Sequence, residues 1–276
     1  MLRFLALLFS LFVSVALTMS FTSPRLTPRL SFSLSARVSR GLSKRLTNSR
    51  PQLDDPFNLY VKAGPNGESV GDCPFAHYVR SVLASKSIPY TLTPCTASTK
   101  PTWLTKYYDG TMPALRHGSE AYVESRTIAD YLTFFFPDEG MSLEVGEHFE
   151  GASFATENFF SSLAKYIKKV EDDDAELSDL KASLSALDAH LTSTGTAYLT
   201  SDELSLLDLS LAPQLHHMAI TLDAFKASSY PASSAFEEFK EVKKYIDVIT
   251  KERPFLSAKD YDDEVVVWGW TKARGE

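Results

Sequence analysis

Cysteine is scarce: Cys73 and Cys95 are the only two in 276 residues. Two thiols exclude a disulfide-stapled scaffold and are too few for a structural zinc site. No HExxH, P-loop, GxGxxG or EF-hand spacing occurs, which removes the common metalloprotease, nucleotide and calcium signatures. Acidic residues are missing from residues 1–53, which carry the basic residues Arg3, Arg25, Arg29, Arg37, Arg40, Lys44, Arg45 and Arg50. From Asp54 onward 20 basic residues face 35 acidic ones, a net charge of −15. So acidic a body excludes a nucleic-acid binder, because phosphate contacts need clustered Lys and Arg. The 44% apolar and 23% charged residues are a globular composition.

Residues 4–17 form a 14-residue apolar run behind one Arg. That is too short for a bilayer core of roughly 30 Å and suits the core of a signal peptide. Ala16 and Ser20 precede a plausible cut before Phe21. Residues 21–53 are rich in Ser, Thr and Arg and hold no acid, the composition of a transit peptide. A signal peptide over 1–20 followed by a transit-like, disordered stretch over 21–53 resembles the bipartite plastid presequences of algae with complex plastids. The expected location is therefore the plastid stroma, the alternative a secreted protein with a basic linker.

The remaining chain is long enough for a substantial core. Asn58–Ala63 alternates as a strand, and 64–72 is a Gly/Pro/Asn loop. Pro74 suits a first helical position, and Phe75, Val79, Val82 and Leu83 follow at helical spacing to about Lys86. Pro89–Cys95 is expected as a strand and Lys100–Tyr107 as a short helix. Ala114–His117 and Ala121–Val123 form a hairpin, and Ser125 is an N-cap candidate for a helix ending before Pro137. After Gly140 helical periodicity runs through 144–170, 174–191, 205–225 and 235–252, and Ser205 with Asp208 has the capping-box form. These patterns predict an α/β thioredoxin-like unit over 57–137, an all-α domain over 142–258, and a tail over 259–276 that folds over the cleft. Phe134, Phe135 and Phe136 are expected in the core.

Gly71-Asp72-Cys73-Pro74-Phe75 places Cys73 at the N-cap of the first helix. Unpaired amides and about half a positive charge gather there, and such cysteines can fall from about 8.5 to roughly 3.5–7.5 in pKa. The expectation is a nucleophilic thiolate. Ala76 stands where a Cys-X-X-Cys pair would need its second thiol, so an outside thiol such as glutathione must complete any redox cycle. Met112-Pro113 precedes a strand, where a thioredoxin-like fold sets a cis-proline beside its thiol. Glu124-Ser125 opens the next helix, whose amides can hold a carboxylate. Cys95, at a strand end, is expected to be buried and inert. His216 beside His217 lacks an acidic or cysteine partner at ligand spacing, so no metal is expected.

These residues resemble the glutathione transferase superfamily and, within it, plant-type dehydroascorbate reductases. Val61-Lys62-Ala63 and Gly71-Asp72-Cys73-Pro74-Phe75 match that family's opening and catalytic motif. Further matches are Lys100-Pro101-Thr102-Trp103, Asp208-Leu209-Ser210-Leu211-Ala212-Pro213, Leu215-His216-His217 and Gly269-Trp270. The resemblance implies the glutathione transferase fold, with Cys73 as nucleophile. It implies that Lys62 and Asp72 hold substrate, and that Lys100, Met112, Pro113, Glu124 and Ser125 hold glutathione. His217 and Trp270 would line the cleft from the helical half. The family's ascorbate-side lysine falls at Ala273 here; Lys272, one residue short, is the candidate in its place.

The implied activity is glutathione-dependent reduction of dehydroascorbate through a Cys73 mixed disulfide, with glutathione as co-substrate and no tightly bound cofactor. The partners are these small molecules, with no nucleic acid and no stable membrane association after processing, and a monomer is implied rather than a dimer. Two alternatives stand beside it. An omega-type thiol transferase would use the same thiol to deglutathionylate proteins. A chloride intracellular channel-like protein would need an apolar or amphipathic segment of about 20 residues, and the helix near Phe134–Phe136 is interrupted by Arg126, Asp130 and Thr133.

Overall fold

The computed structural model describes residues 51–171 and 174–276. Residues 1–50, which hold nearly all of the expected presequence, lie outside them. Strand β1 (Phe57–Lys62) buries Phe57, Leu59 and Val61 and turns Asn58, Tyr60 and Lys62 the other way, the period-2 pattern of a half-buried strand. Helix α1 (Pro74–Ser85) crosses over to β2 (Thr91–Cys95), which pairs parallel to β1. Helix α2 (Thr102–Tyr108) leads to the hairpin of β3 (Ala114–His117) and β4 (Glu120–Val123), and β3 pairs antiparallel to β1. The sheet order is β2-β1-β3-β4, closed by α3 (Ser125–Phe135).

As far as α3 the expected strand and helix boundaries hold to within about two residues, with three local differences. Glu124, at φ 70°, is the N-cap of α3, and Ser125 is its first helical residue. The left-handed φ turns the chain sharply from strand into helix. Of the three phenylalanines, Phe136 is buried but Phe134 is 71% exposed, because α3 presents a new face at each step. The strand expected to reach Ala63 stops at Lys62, and Ala63 makes an isolated bridge to Val70.

The second half is helical throughout the described residues: α4 (Phe149–Thr156), α5 (Phe159–Lys168), α6 (Asp174–Thr194), α7 (Leu206–Phe225), α8 (Ala232–Glu238), α9 (Lys240–Ile249), α10 (Arg253–Ala258) and α11 (Asp263–Arg274). The single helices expected over 144–170 and 235–252 are each broken, at Glu157-Asn158 and at Phe239. Periodicity alone misses such breaks because apolar spacing can continue across them. The capping box of α7 is complete, and buried Asp208 also accepts hydrogen bonds from the Leu199 amide and the Tyr245 hydroxyl, each at 2.8 Å.

Helix α1 is buried on nearly every side. One face meets the sheet; the other carries His77 and Arg80 into the helical half. His77 Nε2 donates to the Phe255 carbonyl at 3.0 Å and Nδ1 accepts from the Tyr261 hydroxyl at 2.8 Å. The Arg80 guanidinium is paired with Asp260 and bonded to Tyr90. The helix that Cys73 precedes is thus anchored in both halves of the molecule.

Candidate active site

The strand pairing collects the selected residues at one end of the sheet. Lys62 is the last residue of β1 and lies opposite Cys95 in β2. Tyr60 pairs with Ala114, so two steps further the register sets Met112 level with Lys62. Ala114 pairs with Val123, which brings Pro113 beside Glu124. The Met112-Pro113 peptide is cis. Gly71 donates its amide to the Lys62 carbonyl at 2.8 Å. A Cβ on Gly71 would come within 2.8 Å of that oxygen and of the Ala63 carbonyl, so glycine permits the loop to fold onto the strand end.

Cys73 follows as the N-cap of α1, with Pro74 at the first helical position. It is half-buried on the floor of a cleft of about 210 Å³. Lys62, Asp72, Phe75, His217, Gly269 and Trp270 are among its walls. The expectation of a thiol pKa lowered by the helix terminus needs correction. The amides of Ala76 and Phe75 and the Lys62 ammonium do favour the thiolate, but burial outweighs them and Asp72 adds to it, so the Cys73 thiol is pushed up.

Lys62 Nζ is 2.9 Å from Asp72 Oδ1, in a pair whose carboxylate is largely enclosed. The reason for the enclosure is Gly269. A Cβ there would stand 2.0 Å from Asp72 Oδ2, so only a glycine lets α11 rest directly on that carboxylate. The next residue, Trp270, donates from Nε1 to His217 Nδ1 at 3.0 Å. That bond fixes the tautomer of His217, whose Nε2 then carries the proton. Burial, with His216 and His77 nearby, lowers His217 to about 3, against a smaller opposing effect of the Asp72 backbone. The ring is neutral at physiological pH, and its buried Nε2 faces the Asp72 backbone short of full hydrogen-bonding geometry.

The other expected residues fall into two groups. Lys100 donates to the Gly110 carbonyl at 2.7 Å and so ties down the loop before β3. Together with Met112, Pro113, Glu124 and Ser125 it borders the sheet end but does not line the cleft over Cys73. Lys272 does not line it either: its ammonium stands 4.1 Å from the centre of the Trp268 ring, while Ala273 faces the cleft. Cys95 is buried, its thiol directed at the Thr93 carbonyl. His216 faces Asp263 at 3.5 Å. Among the described residues no group of three His, Cys, Asp or Glu side chains is placed to hold a metal ion.

Sequence reasoning missed the wall contributed by α5: Phe160, Ala164 and Lys168. Phe160 packs edge-on against Phe75 at 4.9 Å between ring centres and lies 6.2 Å from Trp270. The spacing Phe160, Ala164, Lys168 is one helical face, a usable signal only once the partner of that face is known.

Residues 69–139 match the family described as Glutathione S-transferase, N-terminal domain, and 156–248 match Glutathione S-transferase, C-terminal domain. The chain is 28% identical over 219 residues to the chloroplastic glutathione S-transferase DHAR3 of Arabidopsis thaliana, covering 78% of this chain and 80% of that one. It is 27% identical over 228 residues to human chloride intracellular channel protein 3, covering 76% and 94% respectively. The crystal structure of Chlamydomonas reinhardtii dehydroascorbate reductase superposes with a TM-score of 0.62 at 25% identity, covering 79% of this chain and 98% of that one. A cis-proline sheet joined to a helical half, with the two domain matches spanning more than half of the sequence, leads to one conclusion: the chain belongs to the glutathione S-transferase family.

Proposed function

We propose that the protein reduces dehydroascorbate to ascorbate, with glutathione as reductant and Cys73 as the covalent carrier. The observation that carries this reading is the lone thiol of Cys73 at the start of α1, on the floor of a cleft that also presents Lys62. The similarity to proteins named as dehydroascorbate reductases supports it.

In this mechanism the Cys73 sulfur adds to a carbonyl carbon of dehydroascorbate and the oxygen takes up a proton. A glutathione thiolate then attacks that sulfur. The new S–S bond forms as the C–S bond breaks, and the released electron pair stays on the carbon skeleton, which leaves as the ascorbate monoanion. A second glutathione thiolate attacks the glutathione sulfur of the mixed disulfide, giving glutathione disulfide and returning Cys73. Two glutathiones lose two protons and two electrons; dehydroascorbate gains the two electrons and one proton, and the other proton goes to solvent. The helix-terminal amides and Lys62 stabilise anionic sulfur in each exchange. The raised thiol pKa lowers the ionised fraction but makes the thiolate a stronger nucleophile, so the two effects partly cancel. His217 is suited to hold Trp270 in the cleft wall, and Lys100, Met112, Pro113, Glu124 and Ser125 to hold the glutathione backbone at the sheet end. No tightly bound cofactor takes part.

The test is Cys73→Ser. Dehydroascorbate reduction should fall to the uncatalysed background while the fold is retained, and full activity in that variant would refute the reading. A second reading, omega-type thiol transfer, is favoured by Phe75, which is 37% exposed at the cleft and could receive a bulky thiol partner. Turnover on hydroxyethyl disulfide compared with dehydroascorbate separates the two. The channel-like alternative requires a membrane-crossing segment; among the described residues no helix is long and apolar enough to cross a membrane. We infer a plastid location from the composition of residues 1–53 and the chloroplastic relative.

A further inference from the structure

Two lysines line the cleft over Cys73, and they differ in what holds them. Lys62 is bonded to the Asp72 carboxylate at 2.9 Å, so together they bring little net charge. Lys168, the last residue of α5, is exposed and has no carboxylate within ion-pair range among the described residues. The wall around it is apolar: Phe160 and Ala164 from α5, and Trp270 and Ala273 from α11. A cation against such a wall acts on an anion more strongly than the same cation in open solvent.

The backbone beneath Lys168 is fixed. The Arg274 guanidinium donates to the carbonyls of Ile167 and Lys169, the residues on either side, and so ties the end of α5 to α11. Lys272, the lysine expected from the sequence, is engaged on the Trp268 ring outside the cleft, and Ala273 offers no charge.

We infer that Lys168 is the cationic specificity residue of the cleft, stabilising the enediolate anion of the product. This rests on the proposed reduction of dehydroascorbate. That substrate is uncharged at neutral pH, whereas ascorbate is a monoanion. Negative charge therefore appears on the carbon skeleton only as the C–S bond to Cys73 breaks and its electron pair moves onto the ring. A cation placed there binds the transition state and product more tightly than the substrate, so its loss lowers kcat more than it raises KM.

The experiment compares Lys168→Met and Lys168→Arg with the parent protein, the exposed position at a helix end making both compatible with folding. Lys168→Met should lower kcat on dehydroascorbate by about 10–100-fold, the range expected for loss of a charge-assisted contact, and weaken inhibition by ascorbate. Lys168→Arg should retain most of both. Resolution of a preformed Cys73–glutathione mixed disulfide by free glutathione, followed in a single turnover, should change by less than about 3-fold in each variant. An equal fall in both half-reactions would assign Lys168 to glutathione and overturn the inference. Unchanged dehydroascorbate kinetics in Lys168→Met would overturn it as well. A parent protein with no dehydroascorbate turnover would instead defeat the underlying reading, before any variant is compared.

Discussion

At the scale of single residues, the Cys73 sulfur is set between opposing influences. The amides of Phe75 and Ala76 and the Lys62 ammonium favour its charge; burial and the Asp72 carboxylate oppose it, and the opposing pair wins. Its alkylation should therefore accelerate with pH into the range above an ordinary thiol. Asp72→Asn removes one of the two opposing influences and releases Lys62 from its partner, so the profile should move to lower pH. Iodoacetamide labelling rates from pH 6 to 10 read the shift directly. A profile that stays put or moves up would mean that Asp72 does not act on the sulfur electrostatically. The motif Gly71-Asp72-Cys73-Pro74 made the thiol's place at a helix start legible. It could not reveal the sign of the pKa change, because the burial that decides it exists only once the distant helices that help wall the cleft are packed around the sulfur.

At the scale of elements, α1 and α7 meet through buried histidines. Burial lowers His77 and His217 to about 3 and His216 to about 4. Their folded values lie below the ordinary 6.5, so between pH 6.5 and those values the unfolded chain binds protons that the native protein does not. Stability is therefore full above about pH 6.5 and falls as the solution is acidified, by roughly 1–2 kcal/mol for each fully buried histidine by pH 5. Urea unfolding at pH 7.5 and pH 5 should show a lower midpoint at pH 5, most of it above the range where carboxylates titrate. An unchanged midpoint would contradict the buried, neutral assignment. These contacts were invisible in the sequence: His77 looks like an ordinary member of the α1 repeat, and only packing on both faces of that helix reveals its partners Tyr261 and Phe255. The strands and helices of the first half were legible because their alternation, Pro74 and the hairpin turn are local signals. The breaks at Phe239 and at Glu157-Asn158 were not, since the apolar spacing continues across them.

At the scale of the whole molecule, the cleft is assembled from three sets of residues far apart in the chain, the last drawn from two separate helices. Residues 62–75 supply the thiol and its charge pair, α5 supplies Phe160 and Lys168, and α7 with α11 supplies His217, Gly269 and Trp270. The first and last stretches carry short motifs and were found from sequence. The middle one has no motif, only a helical face whose function depends on what α11 lays across it. Gly269 illustrates the same limit: as a letter it marks a likeness to a family, but its physical reason, the 2.0 Å that a Cβ would leave to Asp72, exists only in the folded chain. The central claim is that one sulfur, that of Cys73, carries glutathione during turnover. Intact-protein mass spectrometry, with peptide mapping, after mixing with dehydroascorbate and one equivalent of glutathione measures it most directly. The account predicts a single glutathione on Cys73, formed as ascorbate is released, that a second equivalent removes as glutathione disulfide; reduction of dehydroascorbate with Cys73 unmodified, or with the adduct on Cys95, would contradict it.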